Sequence, residues 1–133
     1  MRRRLLAAIV VLAGVGAAAA LAVNQMGPSV AVSLKEFKVL APRSSKAGSV
    51  TFVVHNKGKL KHEFVVVKTN RAPGKLPLKG QVAKLTGVKG LIKPFKPGQT
   101  KKLTVKLAAG KYVLLCNLPG HYKFGQYAGF TVK

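Results

Sequence analysis

The sequence predicts an all-β domain, an antiparallel sandwich of about seven to eight strands, on two observations. Several segments alternate apolar and polar residues with period two, and these segments end at Gly, Pro or Asn. Residues 29–34 open the series, with Val30, Val32 and Leu34 on one face. Residues 36–40 follow with Phe37 and Val39 on one face. Residues 49–55 (SVTFVVH) and 63–68 (EFVVVK) are rich in the Val and Phe that suit a pleated surface. Residues 100–107 alternate cleanly, with Leu103, Val105 and Leu107 inward and Lys102, Thr104 and Lys106 outward. After a turn at Gly110, residues 111–116 (KYVLLC) and 129–133 (GFTVK) complete the set. Residues 69–98 break the pattern with four prolines and five glycines, and read as a long loop with one helical turn at 81–85. A loop of that length in a compact domain is either functional or a packed crossover.

Composition narrows the chemistry. The chain has 133 residues, 24 Lys+Arg against two acids (Glu36 and Glu63), three His and one Cys, for a formal charge of +22. A length near 130 residues implies one domain, and 48% apolar residues supply a core. Two acids exclude a paired-carboxylate glycosidase site and an acidic cage for calcium or magnesium. One Cys excludes an internal disulfide and a Cys-rich zinc site within the chain.

The first 22 residues read as a signal peptide or N-terminal membrane anchor. Arg2, Arg3 and Arg4 precede an uncharged apolar run over residues 5–22, with small-x-small sites ending at Ala20 and Ala22. Residues 23–28 are a short linker, and residues 29–133 form the domain. The expected location is exported: periplasmic, cell-surface or extracellular. Without the three leader arginines the charge is still +19. A single Cys in an exported chain is unusual, because thiols there oxidise or pair. Cys116 therefore calls for an explanation.

That explanation lies in its neighbourhood. Cys116 ends a strand segment, His121 lies five residues beyond it across a Pro-Gly turn, and Gln126 lies five residues further on. His62 stands where a hairpin loop enters the 63–68 strand. One thiolate and two imidazoles in a trigonal set, with a weak axial Met or Gln, make a copper electron-transfer site. Thiolate and imidazole together suit both Cu(I) and Cu(II), and a rigid sandwich leaves little to rearrange between them.

Over residues 29–133 the chain resembles the cupredoxins, the plastocyanin-like type 1 blue-copper family. The resemblance rests on Asn56-x-Gly58 with His62 four residues on, the Pro97-Gly98-Gln99-Thr100 turn, Leu103-x-Val105-x-Leu107, Gly110-x-Tyr112 and Cys116-x-x-Pro119-Gly120-His121. It implies a Greek-key sandwich, one copper per chain, His62, Cys116 and His121 as equatorial ligands, and an apolar patch around His121 as the route for electrons. Leu118, Pro119, Tyr122 and Phe124 surround that edge in sequence. The family's axial residue is most often Met; here Gln126 takes its place. An amide oxygen is a harder donor than a thioether and stabilises Cu(II), which lowers the potential.

The expected function is therefore an exported, monomeric electron carrier between redox partners, and not an enzyme, since a saturated site leaves no open position. The alternative is a copper-binding or copper-delivery protein of the same fold. The excess of Lys favours acidic redox proteins as partners, with an anionic membrane or cell wall as a second candidate surface. Nucleic acid is not expected, because the chain carries an export signal and no recognition motif. Each site residue also has an ordinary reading. Cys116 can pack as a small hydrophobe, His62 and His121 can be hydrogen-bonded loop residues, and Gln126 can face solvent. His55 falls on the outward phase of its strand and is not a ligand. Glu63, beside His62, either braces the ligand loop or pairs with a surface Lys.

Overall fold

A computed structural model describes residues 26–133; the leader and most of the linker lie outside the described residues. Strands β1 (Ser29–Lys35), β2 (Lys38–Leu40), β4 (Gly48–Asn56) and β9 (Thr100–Leu107) form one sheet in the order β2-β1-β4-β9. The other sheet holds β3 (Ser44–Ser45), β11 (Tyr127–Val132), β10 (Gly110–Leu115), β5 (His62–Lys68) and β8 (Val88–Phe95), in the order β3-β11-β10-β5-β8. A two-stranded ribbon, β6 (Leu78–Lys79) with β7 (Val82–Ala83), lies in the excursion between β5 and β8. The sandwich is all-β, as the alternation predicts. Two of its pairings are parallel, β1 with β4 and β3 with β11, and the others are antiparallel.

The inward faces make one core. Val30, Val32 and Leu34 of β1 and Val50, Phe52 and Val54 of β4 meet Phe64, Val66, Leu114 and Phe130 from the opposite sheet. Phe52 lies 5.3 Å from Phe64 and 5.6 Å from Phe130, centroid to centroid, within the range of favourable ring contacts. The central strands β5 and β10 do not alternate in sequence because both their faces are covered. Val65, Val67, Val113 and Leu115 point to the outer face, where Leu76, Ala83 and Tyr122 cap them. The 69–98 stretch is thus partly a packed cover.

That stretch also holds the main departure from the sequence reading. Residues 88–95 form a full strand on the edge of the larger sheet, and residues 82–83 pair in the ribbon where a helical turn was expected. Pro94 is tolerated because an edge strand needs only one set of ladder bonds. Lys89, Lys93 and the exposed Leu91 hide the period there, since little of this strand is buried. An edge of the smaller sheet, β9, presents Lys101, Lys102 and Lys106 to solvent, which discourages pairing with another chain.

Candidate metal centre

Among the described residues only three polar side chains are buried: Asn56, His62 and Gln126. A polar group is buried only when something satisfies it, and two of these three face Cys116 and His121. His62 opens β5, Cys116 follows the last residue of β10, and His121 and Gln126 lie on the loop leading to β11. The sandwich thus delivers four residues from two chain segments, the start of β5 and the loop between β10 and β11, to one site.

The loop that carries three of them is held by its own backbone. Cys116 N–H donates to the Gln126 carbonyl at 3.1 Å, and Gln126 N–H donates to the His121 carbonyl at 3.1 Å. Gly120, at φ 83°, supplies the left-handed residue of the Pro-Gly turn, and its N–H reaches the Gln81 carbonyl at 2.8 Å. Asn117 pins the loop to the outer ribbon, its side chain accepting from Ala83 N–H at 2.8 Å and donating to the Ala83 carbonyl at 3.0 Å. On the other side, Asn56 donates to the carbonyls of Leu60 (2.9 Å) and Phe95 (3.0 Å) and accepts from Gly58 N–H (2.9 Å). The Asn56-x-Gly58 pattern is thus the scaffold of the loop that presents His62.

The donor atoms converge. The two Nδ1 atoms of His62 and His121 lie 3.2 Å apart, and Cys116 Sγ lies 3.9 Å from the first and 3.5 Å from the second. In a triangle with these sides one point lies about 2.1 Å from all three corners, close to ordinary metal–nitrogen and metal–sulfur bond lengths. Gln126 Oε1 adds a fourth atom 3.1 Å from His121 Nδ1, while its Nε2 donates to the Lys35 carbonyl at 2.8 Å. That anchor fixes which end of the amide faces the cluster. A soft sulfur with two imidazoles and a weak oxygen is the donor set for copper cycling between two oxidation states.

The surroundings tune these groups. Glu63 N–H donates to Cys116 Sγ at 3.3 Å, and the Glu63 carboxylate accepts from Asn117 N–H at 3.2 Å, so Glu63 braces the ligand loop. Burial pushes the Glu63 carboxyl up and the His62 imidazole down from their ordinary values. Burial also pushes the Cys116 thiol from 9.0 up to about 11, against hydrogen bonds from the Leu118 and Glu63 N–H groups. The metal-free fold therefore holds this proton more tightly than the unfolded chain does. The resulting stability is complete below pH 9 and is lost as pH rises through 11, a change of about 2–3 kcal/mol. Denaturant unfolding of metal-free protein should show this extra alkaline loss in the wild type and not in Cys116→Ser; parallel curves would remove it.

Three further residues belong to the site, and sequence reasoning did not place them there. Lys35, Glu36 and Phe37 are consecutive, and each touches a different ligand candidate. The Lys35 carbonyl takes the Gln126 amide, Glu36 Oε1 lies 2.9 Å from His62 Nε2, and the Phe37 ring meets His121 edge-on at 5.0 Å. Burial opposes ionisation of Glu36, but hydrogen bonds from Leu60 N–H, His62 and Lys59 N–H prevail and hold its carboxyl at about 2. The available signal was scarcity, since Glu36 is one of two acids among 24 cationic residues. The patch beside His121 also differs from the sequence reading. Phe124 is 72% exposed and packs on Phe37 at 5.3 Å. Tyr122 is buried instead, donating to the Pro73 carbonyl at 2.6 Å and accepting from Leu76 N–H at 2.9 Å. His55 lies on the surface against Thr100, outside the cluster.

No family model matches the chain, and no curated protein matches it. Solved structures do. Reduced auracyanin from Roseiflexus castenholzii superposes with a TM-score of 0.62 at 22% identity, over 80% of this chain and 98% of that one. Auracyanin A, a "blue" copper protein from Chloroflexus aurantiacus, gives 0.60 at 21% identity, over 80% and 100%. Rusticyanin from Thiobacillus ferrooxidans gives 0.55 at 19%, over 81% and 79%. At such identities the likeness carries the architecture, and the chain has the cupredoxin fold.

Proposed function

We propose that this chain is an exported type 1 copper protein that carries single electrons between redox partners. His62 Nδ1, His121 Nδ1 and Cys116 Sγ would hold the copper, and Gln126 Oε1 would supply the weak fourth donor. The observation that carries this reading is the point equidistant from three soft and borderline donors, about 2.1 Å from each, at the end of a rigid sandwich. Bound copper supplies a one-electron couple. The protein's part is to hold four donors where neither oxidation state needs rearrangement, and to keep water from the buried Cys116 and His62. With the donors enclosing the centre, no position is left for a substrate, and we assign the chain no catalytic reaction. Adding Cu(II) should give an intense visible thiolate-to-copper band and the narrow copper hyperfine splitting of a covalent site by electron paramagnetic resonance. A colourless product would overturn the proposal. Export rests on the Arg2–Arg4 cluster with its apolar run, and is tested by whether cell fractionation recovers the protein outside the cytoplasm, a start near residue 23 marking a cleaved leader.

Electrons pass at the half-buried edge of His121, where the exposed Phe124 and the adjoining Phe37 form an apolar contact. Lys35, Lys38, Lys59 and Lys123 are exposed neighbours of these residues in sequence or of the Glu36 turn that packs there. An acidic redox protein is the partner this charge favours. Exchange with such a partner should slow by about tenfold or more between 0.01 and 0.2 M salt in stopped-flow experiments, as surface charges are screened. A rate indifferent to salt would exclude electrostatic docking.

A further inference from the structure

We infer that Glu36 is the positioning residue of the His62 ligand and that its negative charge holds the reduction potential of the site down. Glu36 Oε1 accepts three hydrogen bonds, from Lys59 N–H at 2.9 Å, Leu60 N–H at 2.8 Å and His62 Nε2 at 2.9 Å. A carboxylate offers no proton in return, so Nε2 carries the hydrogen and the Nδ1 lone pair points at Cys116 and His121. This is a carboxylate–histidine–metal arrangement, in which the outer acceptor fixes the ring and raises its basicity. The close approach is built into the chain: a Cβ on Gly58 would collide with the Glu36 carboxylate and lie 2.7 Å from His62 Nε2. Glu63, the other acid, does not share this role, because its carboxylate accepts from Asn117 N–H instead. A charge one imidazole away from the metal favours Cu(II) over Cu(I), in the same direction as the Gln126 amide.

The inference rests on the copper reading above, and the experiment separates the two. In Glu36→Gln the amide oxygen still accepts the hydrogen bonds but the charge is gone. Voltammetry of the copper-loaded variant should show a rise equivalent to about tenfold in relative Cu(I) affinity, about 59 mV for one electron. A merely structural residue would leave the potential of this near-isosteric variant where it was, and that result would overturn the charge role. In metal-free protein, nitrogen-15 correlation spectra should find His62 as the Nε2–H tautomer in the wild type and in Glu36→Gln, with the preference lost in Glu36→Ala. An Nδ1–H tautomer in the wild type would overturn the positioning role, whether or not copper binds. Failure of the wild type to develop the visible band sinks the copper reading alone.

Discussion

Cys116→Ser abolishes the intense visible band of the copper-loaded protein and weakens copper binding by more than about a hundredfold, the upper range for losing an outer-shell partner. Cys116 is the only cysteine of the chain, and Met26, the one methionine among the described residues, is exposed, so no second sulfur among them is placed to take over. The serine oxygen is hard, and its bond to Cβ is shorter than the carbon–sulfur bond. It therefore retreats from the point that the His62 and His121 nitrogens share. A hydroxyl also gives up its proton far less readily than a thiol, and a coordinating thiol is deprotonated outright by its metal. The fold itself should survive. Serine fits the volume, and its oxygen can still accept the Glu63 N–H that now reaches Sγ at 3.3 Å. Metal-free Cys116→Ser should thus unfold within about 1–2 kcal/mol of the wild type near neutral pH, which separates loss of the centre from loss of the fold. Absorption spectra and copper titration calorimetry on the two proteins read the result. A retained band in the variant would remove Cys116 from the centre.

How much of this was legible follows from what each residue reports in sequence. Strands β1, β4 and β9 announce themselves because one face is buried and the other wet, so period two is written in Val30, Val32 and Leu34 or in Leu103, Val105 and Leu107. Strand β8 is opaque for the opposite reason. Only Ile92 and Phe95 are buried in it, and Pro94 and Gly90 mimic a loop. The ligand candidates were readable because Cys116, His121 and Gln126 fall within one loop, and His62 falls beside the Asn56-x-Gly58 turn. Geometry brings all four together. The Lys35–Phe37 turn was not readable. Its link to the site crosses 26 residues from Glu36 to His62 and 91 from Lys35 to Gln126, and no local pattern encodes such a contact. The excess of Lys had drawn attention to surface and partners. Of the two scarce acids, Glu36 is the one whose carboxylate bonds a ligand candidate.

Gln126→Met should raise the reduction potential by about 60–120 mV, the equivalent of one to two orders of magnitude in relative Cu(I) affinity. Gln126 is fully buried, its Nε2 held by the Lys35 carbonyl and its oxygen 3.1 Å from His121 Nδ1, so the amide is aimed rather than free to turn. Methionine is similar in length and unbranched, and brings a polarizable sulfur to the same place. The softer donor favours Cu(I), and axial identity is a main lever on the potential of such sites. The substitution has a structural cost as well, because the Lys35 carbonyl loses its donor in a partly buried setting, worth about 1 kcal/mol. The variant should therefore combine a higher potential with a lower unfolding midpoint, two readouts with separate causes. Asparagine at this position, one methylene shorter, separates them further: it cannot both hold Lys35 and reach the cluster, so it loses stability without gaining a soft donor. A Gln126→Met potential equal to or below that of the wild type would take Gln126 out of the axial position and leave the amide only its anchor on Lys35.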